Sequence, residues 1–252
     1  MQEEEILLKK KLEDMARRCY ERDQYLFTGF LSLSEQAVFH EMEKELAYVG
    51  CGLWGGPEGC ERKMLRFGSP EQLGYEEAYP ISCITVKPLM KKFAEDLTHR
   101  DYLGALMHLG IERSVLGDII LRREAAYIIC TDNMAEYVAK NLDRIRHTCV
   151  YCTVTKEMPP QTGPVFDQME LTVSSNRCDS IVAKAWQMSR NQSLELFRAK
   201  KVFVNGRQYE NNSGLLKEQD IVSVRGFGKF IYDGEVRETK KGRIRVQIRK
   251  YV

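Results

Sequence analysis

The sequence predicts an α+β protein with a mixed N-terminal domain, a β-α-β-β-α-β middle domain and a small basic C-terminal domain that ends in a β-hairpin tail. Three observations carry this. Apolar residues switch between strand and helix periods in that order from Ile81 to Val154. A connector rich in proline follows, with Pro159, Pro160, Gly163 and Pro164. Beyond it lie two short helical patterns and an Asn205-Gly206 hairpin signal. The expected boundaries are 1-75, 76-158, a linker over 159-171, and 172-252.

The N-terminal elements come first. Residues 3 to 24 are helical in pattern and highly charged, and a second helix is expected from Ser34 to Leu46 with Ser34 as its cap. Tyr48 to Phe67 reads as a hairpin. Its glycine-dense run, Gly50-Cys-Gly-Leu-Trp-Gly-Gly56, lacks the Gly-Lys-Ser or Gly-Lys-Thr of a phosphate loop and is read as turns.

In the middle domain, Ile81 to Val86 alternates as a strand. Thr98 and Asp101 form a capping-box start for a helix bearing Tyr102, Leu103, Leu106 and Met107, which Gly110 ends. Asp118 to Leu121 and Ala126 to Cys130 pair through a turn near Arg123-Glu124. Met134, Tyr137, Val138, Leu142 and Ile145 mark a second helix capped by Asp132, and Cys149 to Val154 closes as a strand. This order is the ferredoxin-like arrangement, shared with RNA-recognition modules, although the fold hosts many functions. A strand of alternating exposed aromatics is not evident; Tyr127 and Tyr151 are the candidates for base stacking.

Composition narrows the function. The chain has 252 residues, 43% of them hydrophobic and 29% charged, which suits a folded domain rather than a disordered one. No apolar run is long enough for a membrane span, and Glu3 to Glu5 and Lys9 to Lys11 stand where a secretory signal would need apolar residues, so a cytoplasmic location with no membrane partner is expected. The eight cysteines are read as free, mostly buried thiols. Cys149 and Cys152 lie three apart in a strand-like run and point to opposite faces, so no metal and no cofactor are expected. The net charge of +2 is unevenly spread: residues 172–252 hold 17 Lys and Arg against 8 Asp and Glu, and the rest hold 21 against 28. A basic C-terminal third points to a polyanionic partner.

That third is read residue by residue. Asp179 caps a helix with inner face Ile181, Val182, Ala185 and Trp186; Ser189 and Gln192 form a capping box for the next. Lys200 and Lys201 sit at its C-terminal end, favoured by the helix dipole. Strands at Val202–Val204 and Ile221–Val224 follow. The blocks Arg177-Cys-Asp179, Ser189-Arg190, Lys201-Val-Phe-Val-Asn-Gly206 and Asp220-Ile-Val-Ser-Val-Arg-Gly226 together resemble the RNA-binding domain of the ribosomal-protein-S-four type, the αL motif. The match covers residues 175 to 235, departing at Cys178 and Ser193. Arg177, Ser189, Arg190, Lys200, Lys201, Arg225 and Lys229 are then the expected RNA contacts, as one cationic shelf; Arg243 and Arg245 extend it in a tail that also carries Arg237, Lys240, Lys241, Arg249 and Lys250. Lys240-Lys-Gly242 reads as a hairpin tip, and the bland reading of the tail arginines is a charged edge strand.

The entire chain resembles the YlmH-like family of bacterial proteins, best at His99-Arg-Asp-Tyr-Leu-Gly-Ala-Leu-Met-His-Leu-Gly-Ile111 and Leu116-Gly-Asp-Ile119, more loosely at Gly55-Gly56 and Glu61-Arg62. The resemblance implies binding to ribosomal RNA and transfer RNA on the large ribosomal subunit, in quality control of obstructed subunits, by a non-enzymatic factor expected to be a monomer. An RNA-modifying enzyme and a cell-division adaptor are the alternatives. The first lacks a separate Arg-Leu-Asp catalytic domain or a glycine-rich nucleotide loop here. His99, Arg100 and Asp101 invite a catalytic reading, but a helix start explains them with fewer assumptions, since no nucleophile accompanies them.

Overall fold

The computed structural model describes residues 2–159, 163–239 and 242–252. Pro160 of the connector, and Lys240 and Lys241 of the expected hairpin tip, lie outside them. The chain forms two compact units, Met1–Pro164 and Val165–Val252. No helix among the described residues is long and apolar enough to cross a membrane.

Unit one opens with α1 (Gln2–Arg22), which buries Leu12, Ala16 and Cys19, a four-then-three spacing that lays one stripe on the core. β1 (Leu26–Leu31) leads into α2 (Leu33–Leu46). The cap of α2 is Ser32, not the expected Ser34: Glu35 stands three residues after Ser32 and accepts from its backbone N–H at 2.7 Å, closing the reciprocal box. β2 (Cys51–Trp54) and β3 (Lys63–Phe67) complete an antiparallel sheet of order β1-β3-β2. Four of the seven residues of the glycine-dense run are therefore strand, and its two ends turn. The four-residue helix α3 (Pro70–Leu73) precedes the second sheet.

That second sheet consists of β4 (Ile81–Pro88), β5 (Leu116–Leu121), β6 (Ala126–Thr131), β7 (Arg144–Ile145) and β8 (Thr148–Thr155), in the order β5-β6-β4-β8-β7. With α4 (His99–His108) and α5 (Asp132–Asn141) between them, this is the ferredoxin-like path, antiparallel throughout. Both helices bury their apolar stripes on one face, against Ile84, Val86, Ile128 and Val150. Two expectations shift. Thr131 is the cap of α5 and Asp132 its first residue, and the helix stops at Asn141. Leu142 and Ile145 reach the same core from the following turn and strand, which mimics one further helical repeat in the sequence.

The sheets expected as separate domains meet inside unit one, where Phe30 and Met64 pack with Ile81 and Ile129. Register slips in β1 between Phe27 and Phe30, and in β5 between Leu116 and Ile119. Arg62 spans this seam, its guanidinium donating to the carbonyls of Phe30, Leu116 and Arg113 at 2.7, 2.8 and 3.0 Å. Asp118 answers from the other side, accepting the backbone N–H groups of Glu61 and Arg62.

In unit two, β9 (Phe166–Val173), β10 (Val202–Val204), β11 (Arg207–Gln208), β12 (Ile221–Val224), β13 (Gly228–Glu238) and β14 (Ile244–Tyr251) form one sheet of order β11-β10-β12-β13-β14-β9. The helices α6 (Cys178–Ala185) and α7 (Arg190–Arg198) cover one face of it, over Val222, Val224, Phe230, Val246 and Ile248. Two corrections follow. Residues 166–171, assigned to the linker, are strand, paired along their length from Phe166↔Tyr251 onward. The tail strand β14 is no edge, because β9 closes its outer side. The Asn205-Gly206 signal does make the β10–β11 turn, with φ of 49° and 75°.

Candidate nucleic-acid interface

The site is built where α6 and α7 begin. Arg177 is the cap residue of α6, so Asp179 lies one position inside the helix rather than capping it. The first N–H groups of α6 are met by backbone instead: Cys178 and Asp179 donate to the carbonyls of Gly214 and Asn212. This frees the Asp179 carboxylate, which is fully buried, to bind cations. Arg177 donates to it from both Nε (3.0 Å) and Nη2 (2.9 Å), and Arg190 Nε lies 3.6 Å away. Ser193 ties the helices together through a hydrogen bond to the Asp179 carbonyl. Ser189 caps α7: its Oγ accepts from Gln192 N–H while the Gln192 side chain accepts from Ser189 N–H. One carboxylate thus sets two guanidinium groups at two helix starts. The Arg177 side chain keeps 30% of its surface exposed and Arg190 61%, so both retain donors facing solvent.

The remaining expected contacts lie elsewhere. Lys200 stands just past α7 at φ 55°, with its Nζ 3.2 Å from Glu210. Lys201 joins the sheet by backbone, accepting from Arg225 N–H. Arg225 stacks over Phe203 and Lys229 over Tyr251, each at 4.6 Å. Arg245 pairs with Glu170, Arg249 with Asp233, and Arg243 is exposed just before β14. Side chains alternate across strands. Since Phe230, Val246 and Ile248 face the helices, Lys229, Arg245 and Arg249 face the other way. The single shelf is therefore corrected: Arg177, Ser189 and Arg190 sit on the helical side, Lys229 and Arg245 on the open face of the sheet. Sequence reading also missed the anchoring role of Asp179. The signal was present in the Arg177-x-Asp179 spacing, but only burial turns that carboxylate from a cap into a clamp.

In unit one, Asp101 acts as the helix start requires, accepting from the Thr98 N–H (2.8 Å) and hydroxyl (2.7 Å). Those bonds, the hydroxyl's first, hold its carboxyl below the ordinary value. Tyr127 is 8% exposed and packs with Cys83 and Ile120, which removes it as a stacking platform; Tyr151 is 45% exposed.

Cys149 is exposed on β8, while Cys152 turns to the core and its thiol donates to the Leu142 carbonyl. Burial pushes the Cys130 and Cys178 thiols up to about 12. Iodoacetamide added to the folded protein is therefore expected to modify Cys149 well before Cys130 or Cys178, as read by peptide mass spectrometry. Equal labelling of all three in the folded protein would contradict the packing described.

Residues 75–158 match the family described as "Putative RNA-binding domain in YlmH". A curated protein of Bacillus subtilis (strain 168), "Ribosome-associated protein quality control protein P2", is 31% identical over 223 residues, covering 87% of this chain and 84% of that protein. The chain belongs to the YlmH family. A solved structure, "Cell division protein ylmH from Streptococcus pneumoniae", shares its fold at a TM-score of 0.50 and 16% identity, over 60% of this chain and 91% of that one. In this YlmH-family chain, the stretch matched to the RNA-binding family is the ferredoxin-like half of unit one; it includes Asp118 and Leu116 from the seam, while Arg62 lies outside it.

Proposed function

We propose that the chain is a non-catalytic RNA-binding factor that grips ribosomal RNA or transfer RNA on the large ribosomal subunit, acting in quality control of stalled peptidyl-tRNA complexes. The observation that carries this is the clamp of Arg177 and Arg190 on one buried carboxylate. Two guanidinium groups fixed at helix starts present forked donors at a set spacing, which suits neighbouring phosphates of a folded RNA. RNA duplexes hide their bases in a narrow groove, so grip by shape and backbone is the available mode. The blocks shared with the αL motif supply these same residues. The relative's printed name associates that protein with the ribosome and with protein quality control, which supports the setting. Lys201, whose N–H donates to the Leu196 carbonyl at the end of α7, extends the contact, while Arg225 stacks over Phe203 on the other face of the sheet.

Sedimentation of the purified chain with large ribosomal subunits across a salt series tests this. Affinity is expected to fall steeply with salt, and Arg190→Ala to weaken binding about tenfold while lowering the salt slope by about one. Lys201→Ala is expected to act in the same direction. Unchanged affinity in both variants, with folding intact, would overturn the reading.

A further inference from the structure

A cleft of about 500 Å³ opens in the ferredoxin-like half of unit one, between α4 and the turn that carries the chain from α5 into β7 and β8. Arg100, Gly104 and His108 line it from α4; Arg144 and Arg146 line it from the opposite wall. Three features of this cleft bear on what it could hold.

Arg146 opens the two-residue turn between β7 and β8, where Ile145 pairs with Thr148, and it holds φ at 53°. That left-handed position suits glycine or asparagine, and nothing in the turn calls for arginine. Gly104 lies inside α4, where alanine is the better helix former, yet a Cβ there would meet nothing within 4 Å. Its bareness leaves backbone exposed along the middle of the cleft wall. The charge is net positive, three arginines against the carboxylates of Asp101 and Asp143. Arg146 lies 3.6 Å from Asp101, a carboxylate already committed to Thr98. Arg100 and Arg144 are exposed and have no ion-pair partner among the described residues.

Guanidinium groups facing an open trough select phosphate oxygens. Its α4 lining, from Arg100 to His108, spans about 12 Å of helix, longer than a single phosphate needs. No Phe, Tyr or Trp among the described residues lines it, so they offer no platform for a base. We infer that this cleft is a second RNA site, in which Arg100, Arg144 and Arg146 hold successive phosphates of a sugar-phosphate backbone that passes over Gly104. The inference rests on the reading that the chain binds RNA, and it assigns to particular residues what the family description states only for a domain.

The test uses the full chain and the same large ribosomal subunits. The pair Arg144→Gln with Arg146→Asn keeps the turn, because asparagine tolerates its φ. It is expected to weaken binding at least tenfold and lower the salt slope by about two. Gly104→Glu, on an open helix face, is expected to weaken binding comparably by setting a carboxylate in the trough. If both variants melt like the parent and bind with its affinity and slope, while Arg190→Ala still weakens binding, this inference fails and the proposed function stands. If the parent chain itself does not bind, both fall. Inorganic phosphate is the control for a small-anion site. It is expected to leave the parent's melting midpoint unchanged, and a rise abolished by the paired substitution would reassign the cleft and overturn the RNA reading.

Discussion

Arg62→Ala is expected to lower the unfolding midpoint of unit one by roughly 10 °C. The guanidinium satisfies three backbone carbonyls at once, two of them beside register slips where strand partners are lost. Burial, helped by the nearby charge of Arg113, already pulls the Arg62 side chain down to about 10, still protonated at neutral pH. Truncation leaves those carbonyls without a charged donor and opens a gap at the seam. A loss of about 3 kcal/mol is reasonable for such a buried, charge-assisted set. Lysine is expected to recover little, because a single ammonium cannot reproduce a planar fork aimed at three acceptors. Thermal unfolding followed by circular dichroism checks this; a midpoint within 2 °C of the parent would mean that the seam does not depend on Arg62.

Asp179→Ala is expected to act on stability and binding together. It removes the carboxylate that Arg177 grips bidentately and that Arg190 approaches. Breaking a buried pair by deleting one partner commonly costs 3–5 kcal/mol. Because both arginines reach solvent and can rehydrate, about 2 kcal/mol is the expected loss here. RNA affinity is expected to fall further than in Arg190→Ala, since both guanidinium groups lose their fixed positions. Asp179→Asn, which keeps the shape but not the charge, should fall between. A folded Asp179→Ala protein with full affinity would show that RNA does not need the two arginines held in place.

Local signals were legible in the sequence; long-range ones were not. Thr98 with Asp101, Ser189 with Gln192 and Asn205-Gly206 each specify structure over two to four residues, and the structure contains all three. The ferredoxin-like order was equally readable, since each of its elements announces itself by period. Where reading slipped, a neighbour distant in sequence decided the matter. Glu35 chose between two nearby serines, and β8 turned an apparent helical repeat at Ile145 into a strand. For the site, the residue types were apparent but their faces were not. The side that Lys229 and Arg245 occupy depends on which partners flank their strands, and that information is not in their own segments. Glu61-Arg62 and Leu116-Gly-Asp-Ile119, noticed only as family-like blocks, proved to be the two halves of the seam.

The pairing of β9 with β14 carries one more implication. Phe166 meets Tyr251 across a separation spanning nearly all of unit two, so one end of the sheet is joined from its most distant segments. On a growing chain, β9 has no partner until residues 244–251 have been made. A product halted before Ile244 would carry two strands with bare backbone edges, β9 and β13, open to pairing with other chains. Unit two is therefore most vulnerable to aggregation when its own translation is interrupted.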